Sequence, residues 1–124
     1  MHFCWTTVSV RDMDESLRFY REILELPLNT RMNPAPGLEL AFLGSGETQV
    51  ELICSQEKNE TGFSENISLG FIVPSIEEFH QRLQQNGIPV HSGPVQPNPA
   101  MQFMFILDPN GLKIQLVEYM EPKE

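Results

Sequence analysis

The sequence predicts an α+β fold made of two tandem βαβββ modules. A strand followed by an amphipathic helix occurs in residues 8–24 and again in residues 69–87, about 63 positions later. Each copy leads into a proline-bearing connection and then into further strand segments around a turn. Repetition at this period in 124 residues favours a curled mixed sheet around a cleft, with the helices on its outer side.

The first helix has a start signal and an apolar face. Asp12 is followed three residues later by Glu15, which resembles a capping box. Leu17, Tyr20 and Leu24 then recur at helical spacing. We therefore expect a helix that begins after Asp12 and packs these side chains against the sheet.

The second helix repeats this plan more clearly. Ser75 is the predicted N-cap, Glu78 lies three positions on, and Gly87 is the predicted stop. The expected buried face consists of Ile76, Phe79 and Leu83.

The remaining strands form a hairpin in each module. The first is LELAFLG and TQVELIC around Gly44-Ser45-Gly46, and the second is MQFMFIL and LKIQLVE around Asp108-Pro109-Asn110-Gly111. The segment HSGPVQPNPAM (91–101) is predicted to be a loop, and SQEKNETGFSEN (55–66) a linker. Module 1 is expected to span about residues 1–58 and module 2 about residues 66–121.

Composition restricts the partners and the compartment. With 8 basic and 17 acidic residues, the net charge of −9 opposes nucleic-acid binding and favours cationic ligands. No apolar run is long enough to cross a bilayer and no signal peptide is evident, so we expect a cytoplasmic protein without a membrane partner. Cys4 and Cys54 lie in apolar strand contexts and are predicted to be reduced core thiols.

Three segments are distributed over most of the chain, namely VSVRDMDESLRFYREILELPL (8–28), LQQNGIPV (83–90) and DPNGLKIQLVE (108–118). Together they resemble the vicinal oxygen chelate superfamily, which includes glyoxalase I, bleomycin-resistance proteins and extradiol dioxygenases. The resemblance implies a single glyoxalase-like domain of two βαβββ modules, commonly completed as a homodimer.

The resemblance also implies where a metal site would lie. Matching the flanking residues carries the family's four metal-ligand positions onto Trp5, Glu51, Ser68 and Gln115. The indole N–H only donates, the serine hydroxyl is a poor ligand, and the glutamine offers one neutral carbonyl. We therefore expect no divalent metal and no other cofactor.

The internal repeat relates these four positions in pairs. Trp5 and Ser68 are separated by 63 positions and Glu51 and Gln115 by 64, so all four are expected to line one cleft. Alternation along the strands adds Thr7 and Gln49, as well as Ile53, to their surroundings. The predicted ligand-binding set is Trp5, Thr7, Gln49, Glu51, Ser68 and Gln115.

Two of these residues allow opposite interpretations. Trp5 either stacks on a flat or cationic ligand or fills the space that a metal would take. Glu51 is either a base and an anchor for a cation, which makes it the one candidate catalytic residue, or part of an inert polar cluster with Ser68 and Gln115.

The histidines offer little support for a metal site. Period-2 alternation points His2 away from the face of Trp5, His80 is predicted on the flank of the second helix, and His91 in a surface loop.

These observations leave three hypotheses about function. The first is a metal-free cleft that binds a small molecule, as in bleomycin-resistance proteins. The second is an enzyme, either a lyase or isomerase of the lactoylglutathione lyase type or a metal-dependent dioxygenase. The third is a structural or interaction role through a dimer surface.

Overall fold

The computed structural model describes residues 1–57, 62 and 65–120. The chain forms two compact units, Met1–Gly62 and Phe63–Glu124, and each folds as a βαβββ module. The predicted α+β class with two tandem modules is therefore confirmed. Much of the predicted linker, namely residues 58–61 and 63–64, lies outside the described residues.

The first unit contains a four-stranded mixed sheet and one helix. Its strands have the order β1-β4-β3-β2, in which β1 runs parallel to β4 and the other neighbours are antiparallel. The elements are β1 (Trp5–Ser9), α1 (Met13–Leu17), a π-helical segment (Arg18–Ile23), β2 (Leu28–Ala35), β3 (Leu38–Leu43) and β4 (Gln49–Ser55).

The second unit repeats this topology. Its strand order is β5-β8-β7-β6, again with only the first pair parallel. The elements are β5 (Ser68–Ile72), α2 (Ile76–Gln85), β6 (Ser92–Asn98), β7 (Met101–Leu107) and β8 (Lys113–Tyr119).

The prediction of a loop over residues 91–101 was wrong, because β6 occupies most of it. The strand pairs with β7 through Ser92, Val95 and Asn98 only, with register shifts between these points. Prolines at positions 94 and 97 fall between the paired residues, where a missing N–H breaks no ladder bond. The glycine and proline content that indicated a loop is therefore compatible with an edge strand.

Period-2 alternation buries one face of each sheet. In the first unit, Val8, Leu52 and Leu43 are buried on the face that packs against α1. In the second unit the corresponding face packs against α2. Its fully buried strand residues are Met104, Ile106, Ile114 and Leu116.

Both predicted N-caps are present. The side chain of Asp12 accepts a hydrogen bond from Glu15 N at 3.0 Å, and that of Ser75 accepts one from Glu78 N at 3.2 Å. Gly87, with φ of 67°, follows the end of α2 in the left-handed conformation expected of a stop.

The first helix departs from the predicted 3.6-residue periodicity. It winds as a π-helix from Arg18 to Ile23, and Leu24 N donates to Phe19 O, five residues back. This wider winding buries Tyr20 and Ile23 and leaves the predicted core residue Leu24 only half-buried.

The last strand of each sheet carries prolines. β2 contains Pro34, and β6 contains Pro94 and Pro97. Each of these strands has only one hydrogen-bonded neighbour within its own sheet.

In the part of the chain that the structure describes, no helix is both long enough and apolar enough to cross a membrane.

Candidate functional site

One face of the first sheet collects four of the six predicted ligand-binding side chains. The β1–β4 register sets Trp5 opposite Gln49 and Thr7 opposite Glu51. Neighbouring residues on these strands, such as Val8 and Leu52, are buried on the helix side. Because side chains alternate, these four residues share the face that points away from the helix.

The carboxylate of Glu51 is bound by a hydroxyl but lacks a countercharge among the described residues. Thr7 Oγ1 donates to Glu51 Oε1 over 2.5 Å, a short charge-assisted hydrogen bond. None of the ion pairs found within residues 1–57, 62 and 65–120 includes Glu51. Its half-buried carboxylate is therefore available to a cationic group from outside.

Trp5 forms an aromatic surface beside this carboxylate. Its ring meets that of Phe42 edge to face, with centroids 5.3 Å apart and planes at 77°. Phe42 is paired with Glu51 across β3 and β4, so both rings lie next to the acid. Trp5 remains 46% exposed, so part of this residue is open to solvent.

Gln49 is fixed by a neighbouring amide. Asn29 Nδ2 lies 3.0 Å from Gln49 Oε1 and 2.7 Å from the carbonyl oxygen of Gly44, to both of which it donates. The carbonyl of Gln49 is thereby occupied, and its own NH₂ group remains as the donor on this face.

The second sheet presents the other two predicted residues at equivalent positions. The β5–β8 register sets Ser68 opposite Lys113 and Gly70 opposite Gln115, while Phe105 lies opposite Gln115 on β7. Ser68 is exposed and Gln115 half-buried. Ile114 and Leu116, which alternate with Lys113 and Gln115 on the same strand, point into the core.

The strand registers show the equivalence that the sequence separations predicted. Trp5 pairs with the residue two positions before Glu51, and Ser68 pairs with the residue two positions before Gln115. The proposal that all four line a common cleft concerns the relation of the two units and stays a prediction.

Lys113 occupies the position in the second module that Gln49 holds in the first. Its Nζ lies 5.2 Å from the centroid of the Phe105 ring and donates to the carbonyl oxygen of Glu65 at 3.1 Å. In the described ranges the ammonium has no carboxylate within ion-pair distance.

Sequence reasoning missed three residues of these two faces: Phe42, Phe105 and Lys113. The separation of 64 that relates Glu51 to Gln115 also relates Gln49 to Lys113, so the repeat contained the signal for the lysine. The two phenylalanines depend on the pairing of β3 with β4 and of β7 with β8, which single-strand patterns do not specify.

The histidines lie apart from one another in sequence and element. His2 is exposed before β1, and His80 is half-buried on α2, as predicted. His91 is exposed, its N–H donates to Phe105 O, and it borders a concavity of about 180 Å³ with Pro89, Val90 and Leu107. Among the described residues, no three His, Cys, Asp or Glu side chains are grouped so as to hold a metal ion.

A second concavity, of about 320 Å³, lies on the helix side of the first unit. Arg31 on β2 spans it, donating to Asp14 at 2.9 Å and to Glu39 at 2.6 Å. The hydrogen bonds that Arg31 donates to Glu39 and to Asp14 raise the pKa of Arg31 above its ordinary value. This groove is lined by Asp14, Leu17, Arg18, Arg21, Glu22 and Arg31.

The two cysteines differ from the expected pair of core thiols. Cys4 is exposed just before β1, which corrects the prediction, because it precedes the paired part of the strand. Cys54 is half-buried near the start of α1, and its thiol lies 3.6 Å from the carbonyl oxygen of Arg11. Burial raises the pKa of the Cys54 thiol, and the charge of Glu39 raises it further. Both cysteines are free.

The fold and the two sheet faces define a class of protein with paired βαβββ modules. A family model described as the glyoxalase/bleomycin resistance protein/dioxygenase superfamily matches residues 2–116. A lactoylglutathione lyase of Escherichia coli O157:H7 is 32% identical over 130 residues, covering 95% of this chain and 93% of that protein. The chain therefore belongs to the glyoxalase/bleomycin resistance protein/dioxygenase superfamily, the vicinal oxygen chelate group.

Solved structures share this fold at low identity. The trypanothione-dependent glyoxalase I of Leishmania major superposes with a TM-score of 0.82 at 22% identity, over 95% of this chain and 86% of that one. TnmS3, an antibiotic-binding protein from Streptomyces sp. CB03234, gives a TM-score of 0.76 at 20% identity, with 97% of each chain covered. The same backbone thus occurs in a glyoxalase and in a binding protein.

Proposed function

We propose that this protein binds a small cationic or aromatic molecule on the sheet face that carries Trp5, Thr7, Gln49 and Glu51. The observation that carries the proposal is the half-buried Glu51 carboxylate, which has no countercharge in the described ranges and lies beside an exposed indole. Ser68 and Gln115 hold the equivalent positions on the exposed face of the second module.

Two attractions favour a cation at this face. The carboxylate of Glu51 provides a charge-assisted hydrogen bond, while the open face of Trp5 attracts a positive group through its quadrupole. The exposed fraction of Trp5 supports stacking on a ligand over the alternative in which the indole fills the site. The net charge of −9 adds a favourable long-range field.

The donor set opposes a divalent metal. Of the four family positions, only Glu51 supplies an anionic oxygen, and Thr7 already donates to that carboxylate. The indole of Trp5 has no lone pair for a metal, and Ser68 and Gln115 offer neutral oxygens. We therefore propose that this protein functions without a metal or other cofactor.

The alternative function is that of a lactoylglutathione lyase, the activity named for the relative that is 32% identical. Enediolate-type chemistry depends on stabilising a developing oxyanion, for which a Lewis acid supplies several kcal/mol. Hydrogen-bond donors on these faces would have to replace that contribution. Because no Lewis acid is expected to supply this stabilisation of the oxyanion, we favour a binding function over the lyase activity.

Fluorescence of the single tryptophan tests the proposed function directly. Benzylammonium is titrated into the protein, with benzyl alcohol as its neutral isostere and Trp5 emission as the signal. We expect the ammonium to bind about tenfold more tightly than the alcohol, since one cation-π or charge-assisted contact contributes about 1.4 kcal/mol. Glu51→Gln should abolish this preference, whereas Glu47→Gln, in the exposed turn before β4, should retain it.

Two results would contradict the proposal. One is equal affinity for the charged and neutral probes in the unsubstituted protein. The other is stoichiometric nickel or zinc in the purified protein that is lost in Glu51→Ala, which would favour the lyase instead. Turnover of a glutathione hemithioacetal by the metal-loaded protein would establish the same outcome.

A further inference from the structure

We propose that the exposed face of the second sheet contains an anion subsite, formed by Lys113, Gln115 and Ser68, that takes the carboxylate of an aromatic acid. The inference extends the proposed function to the second module, but it concerns different residues, a ligand group of opposite charge and a separate signal. Its failure would leave the cation preference at Glu51 untouched.

The first support is the positive charge. Lys113 is half-buried, and its Nζ has one acceptor among the described residues, the carbonyl oxygen of Glu65, although an ammonium has three donors. No carboxylate of the described residues pairs with it, in a chain where acidic residues outnumber basic ones by 17 to 8. Packing over Phe105 holds the ammonium on this face.

The second support is the set of neighbouring donors. Ser68 lies directly opposite Lys113 in the parallel pair, and Gln115 follows two residues later on the same face. Neither the Ser68 hydroxyl nor the Gln115 amide has a partner within the ranges 1–57, 62 and 65–120. An ammonium, a hydroxyl and an amide on one face suit the two oxygens of a carboxylate.

The third support is space. Gly70 lies opposite Gln115 in the second module, and Thr7 lies opposite Glu51 at the equivalent position of the first. Thr7 donates a hydrogen bond to the Glu51 carboxylate, whereas Gly70 has no side chain to do the same for Gln115. Among the described residues, a Cβ at Gly70 would find only Gln115 Oε1 within 4 Å, at 4.0 Å, so these residues leave the area beside the amide open. The aromatic ring of Phe105 forms the wall next to it and suits a flat apolar group.

The two modules therefore differ in charge at matching positions. Gln49 and Glu51 in the first correspond to Lys113 and Gln115 in the second, so a neutral–acidic pair is replaced by a basic–neutral pair. One face selects a cation and the other an anion.

An amide NMR titration of the full chain with benzoate tests the subsite. Benzamide is the neutral isostere, and shifts at Lys113, Gln115 and Ser68 report the location. We expect benzoate to bind at least about tenfold more tightly than benzamide and to weaken as salt is added. Lys113→Gln should remove this preference, and Lys113→Arg should keep most of it.

Two further variants separate the subsite from general charge effects. Arg11→Gln also removes one positive charge, but from an exposed pair with Glu15 in the first unit, and should leave benzoate binding unchanged. Gly70→Thr restores the residue of the first module and should weaken benzoate binding by about tenfold. Because Gly70 does not require a left-handed backbone, this variant should fold normally.

Equal shifts with benzoate and benzamide would overturn the proposal. So would benzoate affinity that is unchanged in Lys113→Gln while the spectrum remains that of a folded protein. Shifts confined to the arginine-lined groove of the first unit would place the anion elsewhere and also reject it.

Discussion

Single side chains determine what these sheet faces can bind. Glu51 and Lys113 are half-buried charges without a countercharge in the described ranges, whereas Arg31 is paired with two carboxylates. Leaving a charge partly desolvated and unpaired costs free energy of folding. A ligand of opposite charge recovers part of that cost, which is the physical basis of both proposals.

Cys54 provides a pH-dependent prediction at this scale. Its thiol pKa is raised by burial, so the thiolate that reacts with alkylating reagents forms at higher pH than in an exposed cysteine. At about pH 8.5, near the pKa of a free thiol, we expect iodoacetamide to modify exposed Cys4 before Cys54. Mass spectrometry of the time course measures the order, and equal rates would contradict it.

The same shift has a consequence for stability. The pKa of the Cys54 thiol is higher in the folded chain than in the unfolded chain. The contribution of this thiol to the free energy of unfolding is therefore complete below the pKa of the unfolded chain, and it is lost as the pH rises through the pKa of the folded chain. In Cys54→Ala, the free energy of unfolding should therefore fall less steeply with alkaline pH than in the unsubstituted chain. Urea titrations across that range provide the comparison.

The sequence predicted most of the residues on the exposed face of the first sheet, but not the side chains that pack beside them. Alternation and the resemblance placed Trp5, Thr7 and Glu51 on one face, since a strand has a fixed period of two. Phe42 was missed because it approaches through a neighbouring strand, and strand register depends on tertiary pairing. The exposure of Cys4 was missed because the paired part of β1 begins one residue later.

At the level of elements, local signals were sufficient where one short-range interaction decides the structure. The caps at Asp12 and Ser75 and the Asp108 turn each depend on a side chain that binds a backbone N–H a few residues on. The π-helical segment and β6 instead depend on packing and on pairing with a distant strand. Their local sequences resemble an ordinary helix and a loop, respectively.

The N-caps allow a direct test of this element-level account. Asp12→Ala and Ser75→Ala should each lower the free energy of unfolding by about 1 kcal/mol, because a helix-end N–H loses its acceptor. Urea denaturation followed by circular dichroism measures the loss. Ser45→Ala, in an exposed turn, serves as the matched control, and similar losses in all three variants would contradict the capping explanation.

At the scale of the whole molecule, the prediction of a homodimer follows from membership of the superfamily. Light scattering of the purified protein should give twice the 14.2 kDa mass of the chain. A monomeric mass that does not change with protein concentration would contradict it. We also propose that this protein has no nucleic-acid partner, which its net charge of −9 supports.

The prolines of β2 and β6 affect how readily this protein self-associates at high concentration. Pro34, Pro94 and Pro97 each withhold an N–H from the last strand of a sheet, so an incoming strand finds an incomplete ladder there. Edge-to-edge polymerisation into fibrils is thereby discouraged along β2 and β6. Concentrated solutions should consequently remain clear, even though each sheet ends in a strand with an open side.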